Sequence, residues 1–115
     1  MNCVAYVRTA NKKNKEANLL KQTEMIKAFI EEKNWQLDSV YTDTGSGINM
    51  NKNLHRMIED AQQEKFDVIV AIDPSRILRN SDLSSVIGKL HEENKVHIIT
   101  VDKRVDTLLK DDITL

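Results

Sequence analysis

The sequence has few of the residues and segments that mark secreted, membrane-bound or metal-dependent proteins. Its single cysteine, Cys3, excludes an internal disulfide, and the opening MNCVAYV lacks the long apolar core of a signal peptide, so we expect a cytoplasmic location. No apolar run approaches the roughly 20 residues needed to span a bilayer, which excludes a membrane role. The three histidines lack the paired spacing of a metal site, and no nucleotide-binding glycine motif is present. We therefore expect neither a metal nor a cofactor.

Aromatic side chains and net charge are also scarce. Aromatic residues make up only 4% of the chain, so the core must consist mostly of Val, Ile, Leu and Met. The net charge of -1 gives no overall steering toward nucleic acid, and any anion site must therefore come from locally grouped Arg and Lys. A length of 115 residues suits one compact domain and is too short for two.

Apolar residues recur in two alternating patterns along the chain. Strands are predicted over residues 4–7, 35–41, 66–72 and 96–101, where apolar residues run together or alternate. Helical spacing predicts helices over residues 16–33, 54–61 and 83–90. The glycine-containing segment 42–50 is predicted to be a mobile loop. This order indicates an α/β fold with three layers, in which a mostly parallel sheet of four to five strands carries helices on both faces. We expect strand 66–72 at the centre and strand 35–41 near one edge.

Charged side chains follow three of the predicted strands. Arg8 ends the first strand and Asp43 the second, while the third runs into DPSRILRN, which contains Arg76 and Arg79. Open parallel sheets bind ligands at the carboxyl ends of their strands, and the arginine fork suits phosphate. The pattern predicts a phosphate or phosphodiester site built from the three arginines. Alternatively, each arginine is a solvated surface residue in a weak ion pair, and Asp43 merely pairs with one of them.

Five short segments of the chain carry a combined signal, namely YVRTA at 6–10, LLKQ at 19–22, YTDTGSG at 41–47, LHRMIEDA at 54–61 and SRILRN at 75–80. Taken together, they resemble the motifs of serine recombinases of the resolvase and invertase family. Their order is that of the family, and their spacing is close to it. The resemblance implies a resolvase-like fold over residues 1–107, DNA as the partner, and a site-specific recombination reaction within a dimer or tetramer. In that reaction a serine attacks a DNA phosphodiester and forms a phosphoserine link while a hydroxyl end leaves.

The resemblance also implies which residues form the site. The family's catalytic positions correspond to Arg8, Ala10, Gln22, Asp43, Arg76 and Arg79. The three arginines among them would surround the scissile phosphate, where fixed positive charge stabilises the transition state. Residues 108–115 would be either a tail or the first turns of the long helix through which family members dimerise, and without the rest of that helix the expectation of a homo-oligomer is weaker.

Several positions depart from the family pattern. Ala10 stands where the family has its nucleophilic serine, and a methyl group cannot attack phosphorus. Thr9 is a poor substitute, because consecutive residues of a strand point to opposite sides. Ser75 replaces the family's aspartate, the loop after Asp43 is one residue shorter, and no arginine stands at residues 51–53. We therefore expect a recombinase catalytic domain with impaired chemistry.

Two other classes of function compete with this interpretation. The first is a non-catalytic resolvase-like protein that regulates or pairs with a recombinase, which the joint loss at Ala10 and Ser75 would suit. The second is a phosphoryl-signalling receiver domain, which shares the α/β outline. A receiver needs an acidic cluster after the first strand, where this chain has Arg8. The receiver interpretation is therefore disfavoured.

Overall fold

The computed structural model describes residues 1–9, 13–44, 52–73 and 81–104, except for the side chains of residues 81–84 and 86. Four residues of the sequence argument, Ala10, Ser75, Arg76 and Arg79, lie outside these ranges, as does the segment 108–115. No helix of the described ranges is long and apolar enough to cross a membrane.

Strands and helices alternate along the chain, as the sequence predicts. The strands are β1 (Asn2–Thr9), β2 (Gln36–Thr44), β3 (Val68–Ala71) and β4 (His97–Thr100). The helices are α1 (Lys15–Glu32), α2 (Lys52–Gln62) and α3 (Ser81–Glu92). The four strands form one sheet in the order β2-β1-β3-β4, and each neighbouring pair is parallel. The predicted α/β fold is confirmed: β2 lies at an edge, and β1 and β3 share the interior.

The strand order places a crevice between β1 and β3. The chain leaves β1 through α1 toward β2 on one side of the sheet, and it leaves β3 through α3 toward β4 on the other side. The connections that leave the carboxyl ends of β1 and β3 therefore run in opposite directions. In open parallel sheets, ligands bind at such a switch point. The topology thus directs attention to the carboxyl end of β1.

Side chains of β1 alternate between two cores on opposite faces of the sheet. Cys3, Ala5 and Val7 pack with residues of α1, whereas Val4 and Tyr6 pack with residues of α2 and α3. The helix residues of the first core are Ile26 and Ile30, and those of the second are Leu54, Met57, Ile58, Ala61, Ile87 and Leu90. The alternation continues to the end of β1. Arg8 therefore lies on the α2 face and Thr9 on the α1 face.

The structure differs from the sequence prediction at the end of β2. A loop was expected from Thr42, but β2 continues to Thr44 because its last residues pair with β1. The partners are Arg8 with Asp43 and Thr9 with Thr44. Hydrogen bonding to the neighbouring strand outweighs the low strand propensity of this polar segment. The longer strand holds Asp43 within the sheet rather than in a loop.

Candidate functional site

Arg8 and Asp43 lie side by side at the carboxyl edge of the sheet. They are register partners on β1 and β2, and their exposed fractions are only 8% and 4%. Burial of charged groups is costly unless they are hydrogen-bonded or paired. The surroundings of these two side chains therefore decide what the site can do.

Asp43 joins three elements through its carboxylate. Its Oδ2 accepts hydrogen bonds from the hydroxyl of Tyr6 (2.7 Å) and the backbone N–H of Leu54 (2.9 Å), and its Oδ1 accepts one from the N–H of Asn53 (2.8 Å). Because Asn53 and Leu54 lie in the first turn of α2, the carboxylate caps that helix and stabilises its positive end. The amide of Asn53 also donates to the carbonyl of Thr42 (2.6 Å). Asp43 thus fixes the start of α2 against the ends of β1 and β2.

These contacts bear on the alternative in which Asp43 only pairs with an arginine. Within the described residues, the contacts of the carboxylate are the three hydrogen bonds above, and none comes from Arg8. Both oxygens are engaged in holding the fold together. The described contacts of Asp43 are therefore structural.

Gln22 binds the backbone of Arg8 from the opposite face. The Nε2 of Gln22 donates to the Arg8 carbonyl (2.9 Å), and its Oε1 accepts from the Arg8 N–H (3.3 Å). A second hydrogen bond from Nε2 goes to Oδ1 of Asn18, one turn earlier on α1 (2.7 Å). Gln22 is buried in the inner stripe of α1 together with Ile26 and Ile30. A polar residue in such a stripe needs partners, and the end of β1 provides them.

The structure brings three of the predicted site residues together, namely Arg8, Gln22 and Asp43. Ala10, Arg76 and Arg79 lie outside the described residues, so a common phosphate site remains a prediction. Asp73, which comes two residues after the end of β3, is half-buried. Since β3 is the neighbour of β1, Asp73 belongs to the same edge of the sheet.

Sequence reasoning missed three polar residues that support this edge. Tyr6 lies on the Arg8 face, as strand alternation would have shown, and its hydroxyl holds Asp43. Asn18 precedes Gln22 by four residues, a spacing that places both on one side of a helix. Asn53 gave no comparable signal, because its role depends on where α2 begins relative to β2.

A further arginine lies just beyond β4. Arg104 pairs with Asp102 (Nε to Oδ2, 2.9 Å), and Asp102 also accepts hydrogen bonds from the hydroxyl of Thr100 (2.6 Å) and the backbone N–H of Arg104 (3.0 Å). Burial raises the pKa of Asp102, but the hydrogen bonds and the charge of Arg104 together bring it below its usual value. The cluster closes the turn after β4 at the same edge of the sheet.

A groove of about 360 Å³ lies elsewhere, between edge strand β2 and helix α2. Its lining is mixed in polarity and comprises Ser39, Val40, Tyr41, Thr42, Asn53, Arg56 and Asp60. The hydroxyl of Tyr41 donates to Asp60 (2.5 Å), and burial, reinforced by this bond, raises the pKa of Tyr41 to about 12. None of the predicted site residues lines this groove. We therefore place the candidate site at the edge that carries Arg8.

Comparison with known proteins agrees with the fold. The family described as Resolvase, N terminal domain matches residues 3–112. No protein with a curated description matches at a comparable level of significance. A resolvase family site-specific recombinase from Streptococcus pneumoniae is 24% identical, with a TM-score of 0.79 over 98% of this chain and 79% of that chain.

Two further solved structures share the architecture. The N-terminal catalytic domain of TP901-1 integrase is 21% identical, with a TM-score of 0.79 over 94% of this chain and 83% of that chain. The C-terminal catalytic domain of ISC1926 TnpA, an IS607-like serine recombinase, is 24% identical, with a TM-score of 0.74 over 88% of this chain and 67% of that chain. At these identities the likeness concerns the fold.

Proposed function

The chain belongs to the resolvase N-terminal domain family, the catalytic-domain family of site-specific DNA recombinases, and on that premise we propose that it binds a DNA phosphodiester but does not cleave it. The observation that carries this proposal is Ala10, which stands two residues beyond Arg8, where the resemblance of the segment YVRTA to the family motif would place the nucleophile. A methyl group offers no lone pair for attack on phosphorus. The first step of the family reaction is therefore missing.

The geometry of β1 supports the view that no neighbouring hydroxyl replaces the serine. Thr9 lies on the α1 face of the sheet, is only 4% exposed, and follows Val7 in the alternation of that face. Tyr6 lies on the same face as Arg8, but its hydroxyl donates to the buried Asp43. Both hydroxyls are thus withdrawn from a phosphate that would approach the edge from solvent.

The described residues support phosphate binding at this edge. Arg8 lies at the carboxyl end of β1, Gln22 holds its backbone, and Asp43 joins the end of β2 to α2. We propose that Arg76 and Arg79 complete the site, since they follow β3 in the sequence and β3 is the neighbour of β1. Fixed cations placed in this way stabilise the charge that develops on a phosphoryl group.

An activated phosphodiester tests the proposal without knowledge of the DNA target. In thymidine 5′-(p-nitrophenyl phosphate), nitrophenolate takes the place of the leaving hydroxyl end. We expect no reaction with the wild-type protein and a burst of about one nitrophenolate per chain with Ala10→Ser. The serine oxygen would bond to phosphorus as the phosphorus–nitrophenolate bond breaks, the serine proton would pass to solvent, and a nucleotidyl group detectable by mass spectrometry would remain on the protein.

Matched arginine variants show whether the burst depends on the proposed site. In the Ala10→Ser background, Arg8→Gln should slow the burst about 100-fold or more, since loss of one transition-state donor costs that much. Arg56→Gln, which changes an exposed arginine of the β2–α2 groove, should leave the burst unchanged. A nucleotidyl adduct on the wild-type protein, or equal bursts with and without Arg8, would refute the proposal.

A second candidate function is that of a non-catalytic partner of a recombinase. The specific observation in its favour is the simultaneous presence of Ala10 and Ser75 at two family positions. Light scattering of the protein mixed with a full-length family member should then show a mixed complex. Elution of the two proteins as separate species would reject this role.

A further inference from the structure

One side of β1 loses its partner strand before β1 ends. β3 pairs with β1 only at Cys3, Val4 and Ala5, whereas β2 follows β1 as far as Thr9. Beyond Ala5, the backbone groups of β1 that face away from β2 must find other partners. At Arg8 the partner is a side chain, because Gln22 binds both the N–H and the carbonyl of this residue.

The amide of Gln22 therefore forms the two backbone hydrogen bonds that a neighbouring strand would otherwise form with Arg8. A side-chain amide offers one donor face and one acceptor face, as a peptide unit does. Only one of its two orientations fits, since the reversed amide would set Nε2 against the Arg8 N–H and Oε1 against the Arg8 carbonyl. The orientation of the Gln22 amide is therefore decisive for the backbone of Arg8.

Asn18 supports that orientation. Its Oδ1 accepts the second hydrogen of Gln22 Nε2 at 2.7 Å. If the Gln22 amide reversed, the Asn18 amide would have to reverse with it, since otherwise Gln22 Oε1 would face Asn18 Oδ1. Asn18 itself is exposed on the surface of α1, so this polar contact is not required to fill the core.

We propose that Asn18 is a positioning residue, which holds the Gln22 amide against the backbone of Arg8 and so steadies the strand end that carries the Arg8 side chain. This inference rests on the proposed function in one respect, namely that Arg8 and position 10 belong to the phosphate site. Its structural part, the control of the Arg8 backbone by Asn18, is independent of any ligand.

Hydrogen exchange of the Arg8 amide tests the structural part directly. Asn18→Ala should lower the protection of this amide about 3- to 10-fold, the effect of one modest hydrogen bond, and should lower the melting temperature by only several degrees. Asn18→Asp retains an acceptor and should restore the protection. Glu24→Ala, an exposed change on the same helix, should have no effect. An Arg8 amide that exchanges equally in Asn18→Ala and wild type would overturn the inference.

The nitrophenyl ester tests the functional part. In the Ala10→Ser background, Asn18→Ala should slow the burst by a similar 3- to 10-fold, and Asn18→Asp should recover it. Increased Arg8 exchange together with an unchanged burst would show that Asn18 does not position the site. If no burst occurs in any background although exchange responds as expected, the proposed function fails and the link between Asn18 and the Arg8 backbone stands.

Discussion

Removal of the Asp43 carboxylate should destabilise the protein more than any ordinary polar substitution. Asp43→Ala leaves three donors without their acceptor, namely the Tyr6 hydroxyl and the backbone N–H groups of Asn53 and Leu54. A buried donor left unpaired costs about 1 to 3 kcal/mol. The N–H of Asn53 is only partly buried, so water offsets some of its loss.

The three contributions lead to a definite expected magnitude. We expect Asp43→Ala to lower the free energy of unfolding by about 3 to 5 kcal/mol, because each of the two buried donors costs about 1 to 3 kcal/mol and the N–H of Asn53 adds less. Domains of this size are stable by only about 5 to 15 kcal/mol, so the variant should lie near the limit of folding. Asp43→Asn retains one acceptor oxygen and should lose less.

Urea denaturation followed by far-ultraviolet circular dichroism measures this loss. Asp38→Ala provides the control, because Asp38 is an exposed aspartate on the same strand, and its removal should cost less than about 0.5 kcal/mol. If both variants unfold in two states, the slope of the unfolding free energy against urea concentration should equal that of the wild type. An Asp43→Ala variant as stable as Asp38→Ala to within 1 kcal/mol, roughly the effect of a single ordinary hydrogen bond, would refute the capping role.

Two further predictions concern ionisable groups. Because burial, with help from the Asp60 hydrogen bond, raises the pKa of Tyr41 to about 12 from its usual 10.0, the folded chain keeps a phenolic proton that the unfolded chain loses, and stability should decline as pH rises through this interval. In urea titrations, the stability of Tyr41→Phe should decline less than that of the wild type as the pH rises. An equal decline would argue against a raised pKa of Tyr41 in the folded protein. Burial also raises the pKa of the Cys3 thiol to about 11, so iodoacetamide at mildly alkaline pH should label Cys3 slowly in the folded protein and rapidly in urea; equal rates would contradict its burial.

Much of the fold could be predicted from the sequence because local patterns determine it. The four apolar residues Leu54, Met57, Ile58 and Ala61 recur at helical spacing, and all are buried on one face of α2. The apolar segments 66–72 and 96–101 contain β3 and β4. Each of these patterns can be recognised within a window of about ten residues. The alternation of strands and helices along the chain then restricts the possible sheet topologies.

The details of the site depend on contacts that no local pattern contains. The pairing of Arg8 with Asp43 is set by the register of β1 and β2, which shifts by one residue between Cys3 and Val4. An irregularity of that kind leaves no mark in the sequence, although it decides which residues are neighbours. The hydrogen bonds of Gln22 likewise require knowledge of where β3 stops. The position of Arg8 at a strand end was therefore predictable, whereas its supporting residues were not.

We propose that Arg8, Arg76 and Arg79 surround one anion at the carboxyl edge of the sheet. This arrangement can be examined by titration with inorganic phosphate, followed through the side-chain Nε–H signals of the arginines by nuclear magnetic resonance. We predict that the three signals shift together with a single dissociation constant and that Arg8→Gln abolishes the shifts of the other two. If Arg76 and Arg79 respond while the signal of Arg8 stays fixed, the three arginines do not share a site and the account is wrong.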